Sequence, residues 1–118
     1  MLFQPVGPKK LALLRQNHFR RWPPRLPEQP IFYPVTKERY AAEIAEKWNV
    51  KASGFGAVTR FRVKADFMAQ FSIRKAGGAH HTEWWVPAEK LKELNDHLVG
   101  LIEVIREFEA RCQGQVMQ

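Results

Sequence analysis

Ala57-Val58-Thr59-Arg60-Phe61-Arg62-Val63-Lys64 alternates strictly, with Thr59, Phe61 and Val63 on one side and Arg60, Arg62 and Lys64 on the other. A period of two is the pattern of a strand that buries one face and wets the other. Downstream, Asp66 is placed to cap one helical turn through Phe67-Met68-Ala69, and Phe71-Ser72-Ile73 resumes strand character. Gly77-Gly78 predicts a hairpin turn into a strand over residues 80–86. Pro87 opens a helix with Leu91, Leu94 and Leu98 inward, and Gly100 suits the position just past its end. Over residues 102–108 a helical spacing through Leu101, Ile105, Phe108 and Cys112 competes with strand; Gly100 and the β-branched content favour strand.

Upstream, Leu2-Phe3-Gln4-Pro5-Val6 is short, apolar and extended. Pro8 then suits the first position of a short helix with Leu11 and Leu14 on one face. His18 to Trp22 alternates weakly, as a strand would. The stretch from Pro23 to Pro30 holds four of the eight prolines and reads as a stiff extended loop that holds Arg25 in place. Ile31-Phe32-Tyr33-Pro34-Val35 reads as a buried strand, with Pro34 marking an edge or an end. Thr36 is the expected N-cap of a helix over residues 37–48. Its inward face is Tyr40, Ala41, Ile44, Ala45 and Trp48, and a loop from Asn49 to Gly56 ends it. The expected fold is therefore α+β, a small and mostly antiparallel sheet with about three helices. One domain spans residues 1–111, and residues 112–118 form a frayed tail.

A chain of 118 residues with 45% apolar and 26% charged residues has the composition of an ordinary globular domain. The longest aliphatic run, Leu11-Ala12-Leu13-Leu14, is far too short to span a membrane. A single cysteine, Cys112, allows no disulfide within one chain and points to a cytoplasmic setting. The net charge of +7 is uneven: residues 1–27 carry +6, residues 28–50 carry −1, residues 51–82 carry +5 and residues 83–118 carry −3. Such asymmetry points to an anionic partner, a nucleotide, a nucleic acid or an acidic protein.

The candidate sites differ in specificity. His80 and His81 are adjacent, and a strand turns them to opposite faces. His97 stands four residues after Glu93, and no H-E-x-x-H or C-x-x-C spacing occurs, so no metal is expected. Arg60, Arg62 and Lys64 could follow a phosphate backbone with Trp22 or Phe55 stacking on bases, or simply form the wet face of a sheet. Glu83 shares a strand face with His81 and Trp85. An acid among aromatics either lies at an open edge or is held by a cation and used.

Further blocks resemble a known group. They are Phe3-Gln4-Pro5-Val6-Gly7, Pro23-Pro24-Arg25-Leu26-Pro27, Pro30-Ile31-Phe32-Tyr33-Pro34-Val35, Glu83-Trp84-Trp85-Val86-Pro87-Ala88-Glu89 and Asn95-Asp96-His97-Leu98-Val99-Gly100. Together they resemble a family of short bacterial proteins labelled "ADP-ribosylation/crystallin J1". The layout is similar to small ADP-ribosyltransferase-like folds rather than to the large ADP-ribosylglycohydrolases. That resemblance implies binding of NAD or a related nucleotide, with transfer of ADP-ribose as the associated activity. It places the family's first-strand Arg or His at Gln4, its middle-strand hydroxyl residue at Tyr33 and its late glutamate, the catalytic one, at Glu83. Arg25 or Arg60 is the expected diphosphate clamp, and Tyr33, Trp84 or Trp85 the surface for nicotinamide. The competing expectation is a non-catalytic protein whose basic face meets nucleic acid or an acidic protein. Neutral glutamine at position 4 favours that alternative, because it cannot clamp a pyrophosphate as arginine does.

Overall fold

The alternation around Thr59 becomes the central strand of a sheet. In the computed structural model, which describes residues 1–24, 29–75 and 81–109, strand β3 runs Phe55–Phe61. Thr59 and Phe61 are buried while Arg62 and Lys64 face outward, as the period of two requires. Buried Thr59 does not go unsatisfied: its Oγ1 donates to the Gln4 carbonyl at 2.7 Å. Arg25, the Gly77-Gly78 turn, His80, Cys112 and the C-terminal tail lie outside the described residues.

Strand β1 (Leu2–Val6) lies antiparallel along one edge of β3, and β6 (Glu103–Glu109) along the other. Residues 102–108 thus resolve in favour of strand. A second sheet orders β2 (Ile31–Phe32), β5 (Thr82–Pro87) and β4 (Ser72–Lys75), again antiparallel. Val35 connects the two sheets, pairing with Phe3 of β1 on one side and Glu83 of β5 on the other. The fold is α+β, and its described strand pairs are all antiparallel.

Pleating separates two apolar layers. Leu2, Val6, Phe32, Phe61 and Val86 share one, where α1 (Pro8–Gln16) contributes Leu11 and Leu14 and α5 (Leu91–Asp96) contributes Leu91 and Leu94. Trp22 plugs its centre, with ring centroids 5.0 Å from Phe61 and 5.3 Å from Phe32. The other layer is small. Val35 and Val58 are covered by Ala41, Ala42 and Ala45 of the long helical segment.

That segment departs from its expected form. Helix α2 is Glu38–Ile44, a π-turn follows over Ala45–Asn49, and α3 (Val50–Ser53) completes it. Thr36 does not cap it; the Thr36 hydroxyl instead bonds the Thr82 hydroxyl and carbonyl, stitching β5 to the strand before the helix. The residues expected as loop after Asn49 prolong the helix until Gly54, whose φ of +76° ends it at no steric cost. The π-turn also overturns the expected place of Trp48. A π-turn adds one residue, so the inward position passes from Trp48 to Asn49 and the indole is 70% exposed. Gly56 explains why: a Cβ there would lie 2.4 Å from the Ala45 carbonyl oxygen and 2.7 Å from the Asn49 Cβ. Helix and strand approach too closely for an indole to fit between.

Two further expectations are corrected. His18 to Trp22 is not a strand, because His18 and Phe19 adopt φ of 61° and 60° and the Phe19 amide returns to the Leu14 carbonyl at 2.8 Å. Gly100 has φ of +79° but lies beyond the end of α5, in the link to β6. A turn of helix does form there, as α4 (Ala65–Met68), but Lys64 takes the N-cap position and Asp66 falls inside the first turn, its carboxylate accepting from the adjacent Phe67 amide at 3.1 Å.

Candidate functional site

Alternation along β5 turns Trp84 and Val86 to the larger core and leaves Glu83 and Trp85 on the side of Val35. Helix α2 packs on that same side through its alanines, which brings Tyr40 over the strand. The Glu83 carboxylate is half-buried between them and held at both oxygens. Tyr40 Oη donates to Oε2 at 3.2 Å, and Trp85 Nε1 donates to Oε1 at 3.1 Å. A carboxylate oxygen has two acceptor positions, so each retains one for a further donor.

Aromatic and cationic groups surround this carboxylate. Tyr33, 39% exposed, meets the Trp85 ring edge-on with centroids 5.5 Å apart. Arg74 of β4 stands opposite Glu83 in register, yet its guanidinium lies over the Trp85 ring, 4.4 Å from the centroid. On the other flank His81 stacks on Tyr40 at 4.5 Å, and its Nε2 meets Glu43 Oε1 at 3.0 Å. Arg39 Nε lies 3.7 Å from the other Glu43 oxygen. Burial above all, then the charge of Glu83 and the hydrogen bond to it, then the charge of Glu43, push the Tyr40 phenol above its ordinary pKa.

The residues singled out from sequence fare differently. Tyr33, Glu83 and Trp85 come together. Gln4 does not join them: it alternates with Phe3, so its side chain lies on the Leu2 and Val6 side of the sheet, with Oε1 buried and unpartnered. Arg60 shares the face of Glu83, but Phe3 and Val35 stand between them. Three inter-strand steps put the two backbones on the order of 14 Å apart. The Arg60 guanidinium is also engaged, with Nη2 3.0 Å from Glu103 Oε1. Arg25 lies outside the described residues.

Tyr40, Arg74 and the His81–Glu43 pair were not singled out. A two-residue turn at Gly77-Gly78 would set Arg74 opposite His81; the observed register sets it opposite Glu83, two residues further along. Tyr40 carried a signal, since its inward place on an amphipathic helix gives a hydroxyl a reason to seek a buried acceptor. Nothing in the spacing named Glu83 as that acceptor.

Glu83 does not line any of four depressions of about 300 to 640 Å³ among the described residues. The Glu83 cluster lies on a sheet face that α2 partly covers. Among the described residues no group of three or more His, Cys, Asp or Glu could hold a metal ion, and no helix is long and apolar enough to cross a membrane. Comparison with family models, curated proteins and solved structures finds no match to this chain.

Proposed function

We propose that this domain binds NAD or a related nucleotide as substrate on the face around Glu83, in an ADP-ribosyltransferase-like arrangement. One observation carries the reading: a carboxylate fixed at both oxygens by Tyr40 and Trp85, beside the exposed ring of Tyr33. The remaining acceptor positions of Glu83 suit the ribose 2′-hydroxyl. As the bond from C1′ to the nicotinamide nitrogen breaks, its electron pair leaves with neutral nicotinamide and positive charge develops on the ribose. A fixed carboxylate stabilises that charge without having to reorganise. Tyr33 and Trp85 offer the surface for the nicotinamide ring, and Arg74, already beside Trp85, offers donors to the diphosphate. The ribosyl C1′ is then open to an acceptor nucleophile. Gln4 and Arg60 have no part in this version. Arg25 keeps its place as a second cation on the sequence resemblance alone, and the cytoplasmic setting is proposed from the cysteine content.

The basic strand carries the competing reading less well. Arg60 is paired with Glu103, and Trp22, an aromatic that reading would use, is 2% exposed. Titration calorimetry with NAD and ADP-ribose, together with release of nicotinamide, tests the proposal. Binding that Glu83→Gln reduces in turnover and Arg74→Ala reduces in affinity is the expected result. No heat and no thermal shift with either ligand at millimolar concentration overturns it.

A further inference from the structure

The exposed indole of Trp48 calls for an explanation that the Glu83 face does not supply. Tryptophan is highly buried on average, and this one is 70% exposed because the π-turn and Gly56 leave no room for it inside. Its outward position is thus built into the packing of helix on strand. Lys47 adjoins it and Lys51 follows one turn later; both are exposed, and neither takes part in an ion pair among the described residues. Glu46, the nearest acid in sequence, lines a different groove together with Arg106 and Phe108.

We propose that Trp48 with Lys47 and Lys51 is a platform for single-stranded nucleic acid, the indole stacking on a base and the ammonium groups meeting the flanking phosphates. Stacking accepts any base because every base has a π face, and the lysines track a backbone rather than a sequence. A membrane surface fits less well. An interfacial helix needs a broad apolar face, and the exposed neighbours Lys47, Lys51, Ala52 and Ser53 supply none. This surface differs from the basic strand of Arg60, Arg62 and Lys64, and it does not depend on Glu83.

Fluorescence anisotropy of a labelled oligouridine of about ten nucleotides, at low salt, tests this. The wild-type chain is expected to bind. Trp48→Ala should weaken binding roughly fivefold to a hundredfold, with Trp48→Phe losing less. The double variant Lys47→Glu, Lys51→Glu should weaken it and flatten its salt dependence. Glu83→Gln should bind as the wild type does. An exposed side chain is removed without unfolding the chain, and circular dichroism checks that. Three results overturn the proposal: no binding of the oligonucleotide, equal binding by Trp48→Ala, or binding to phosphatidylserine vesicles that Trp48→Ala abolishes while its oligouridine binding is unchanged.

Discussion

Asn95 clasps the backbone of Trp22 from both ends. Its Oδ1 accepts from the Trp22 amide at 2.7 Å, and its Nδ2 donates to the Trp22 carbonyl at 3.0 Å. A side chain of α5 thereby stands in for a strand partner and holds the central aromatic of the larger core. Asn95→Ala should cost about 2 kcal/mol, because it leaves a buried donor and acceptor unmet. Asn95→Asp keeps the acceptor for the Trp22 amide but sets a carboxylate oxygen against the Trp22 carbonyl, so it should not restore the wild-type midpoint. Urea unfolding followed by tryptophan emission measures both; equal midpoints for wild type and Asn95→Ala would refute the clasp.

Tyr40 should titrate late. Its phenol is raised by burial first and by Glu83 second, so absorbance at alkaline pH should resolve an upper step that Tyr40→Phe abolishes. Glu83→Gln should lower that step without removing it, because burial remains. A folded pKa above the unfolded value near 10 means the contact stabilises the fold fully below about pH 10 and loses that effect as pH rises. The stability gap between wild type and Tyr40→Phe should therefore be constant at neutral pH and close in alkali.

Gly56 and Trp48 should respond in opposite ways to alanine. Gly56→Ala drives a methyl into the fixed Ala45 carbonyl and should cost about 1–3 kcal/mol, or more if the π-turn unwinds. Trp48→Ala removes an exposed ring and should stay within about 0.5 kcal/mol of wild type. Thermal unfolding of the two variants side by side decides the matter. A large loss for Trp48→Ala would mean that the indole supports the fold.

Arg60 and Arg74 should separate stability from binding. The Arg60–Glu103 pair is exposed, so Arg60→Ala should cost less than about 1 kcal/mol and leave NAD binding unchanged. Arg74→Ala should be equally mild in stability but should weaken NAD binding. Calorimetry on both proteins distinguishes them, and the reverse pattern would move the nucleotide site to the sheet of β3.

Periodicity made much of the fold legible. Thr59, Phe61 and Val63 are buried where a period of two placed them, and Leu11, Leu14, Leu91 and Leu94 where the helical period did. What escaped was set by packing between elements. No local pattern announces that Gly56 must approach Ala45, yet that contact turns Trp48 outward and Asn49 inward. Nor does the apolar content of His18 to Trp22 reveal that two residues take positive φ so that the chain can double back on Leu14. The Glu83 cluster was half legible. Trp85 follows from alternation along the strand of Glu83 and Tyr33 came from the resemblance alone, whereas Tyr40 and Arg74 depend on how a helix packs on the sheet and on a hairpin register.

Val35 is the stitch at which one sheet becomes the other. Its amide donates to the Phe3 carbonyl at 2.7 Å and its carbonyl accepts from the Phe3 amide at 3.0 Å, while Pro34 and Thr36 turn their backbone groups to β5. That backbone seam is one residue wide, while on the other face the larger core joins the same two sheets through Trp22, packed on both Phe61 and Phe32. Helix α2 and the π-turn after it span that seam, laying Ala41, Ala42 and Ala45 over Val35 and Val58. Anything that lifts the helix loosens the seam and carries Tyr40 off Glu83 in the same movement. The exchange rate of a single amide proton, that of Val35, would report on both.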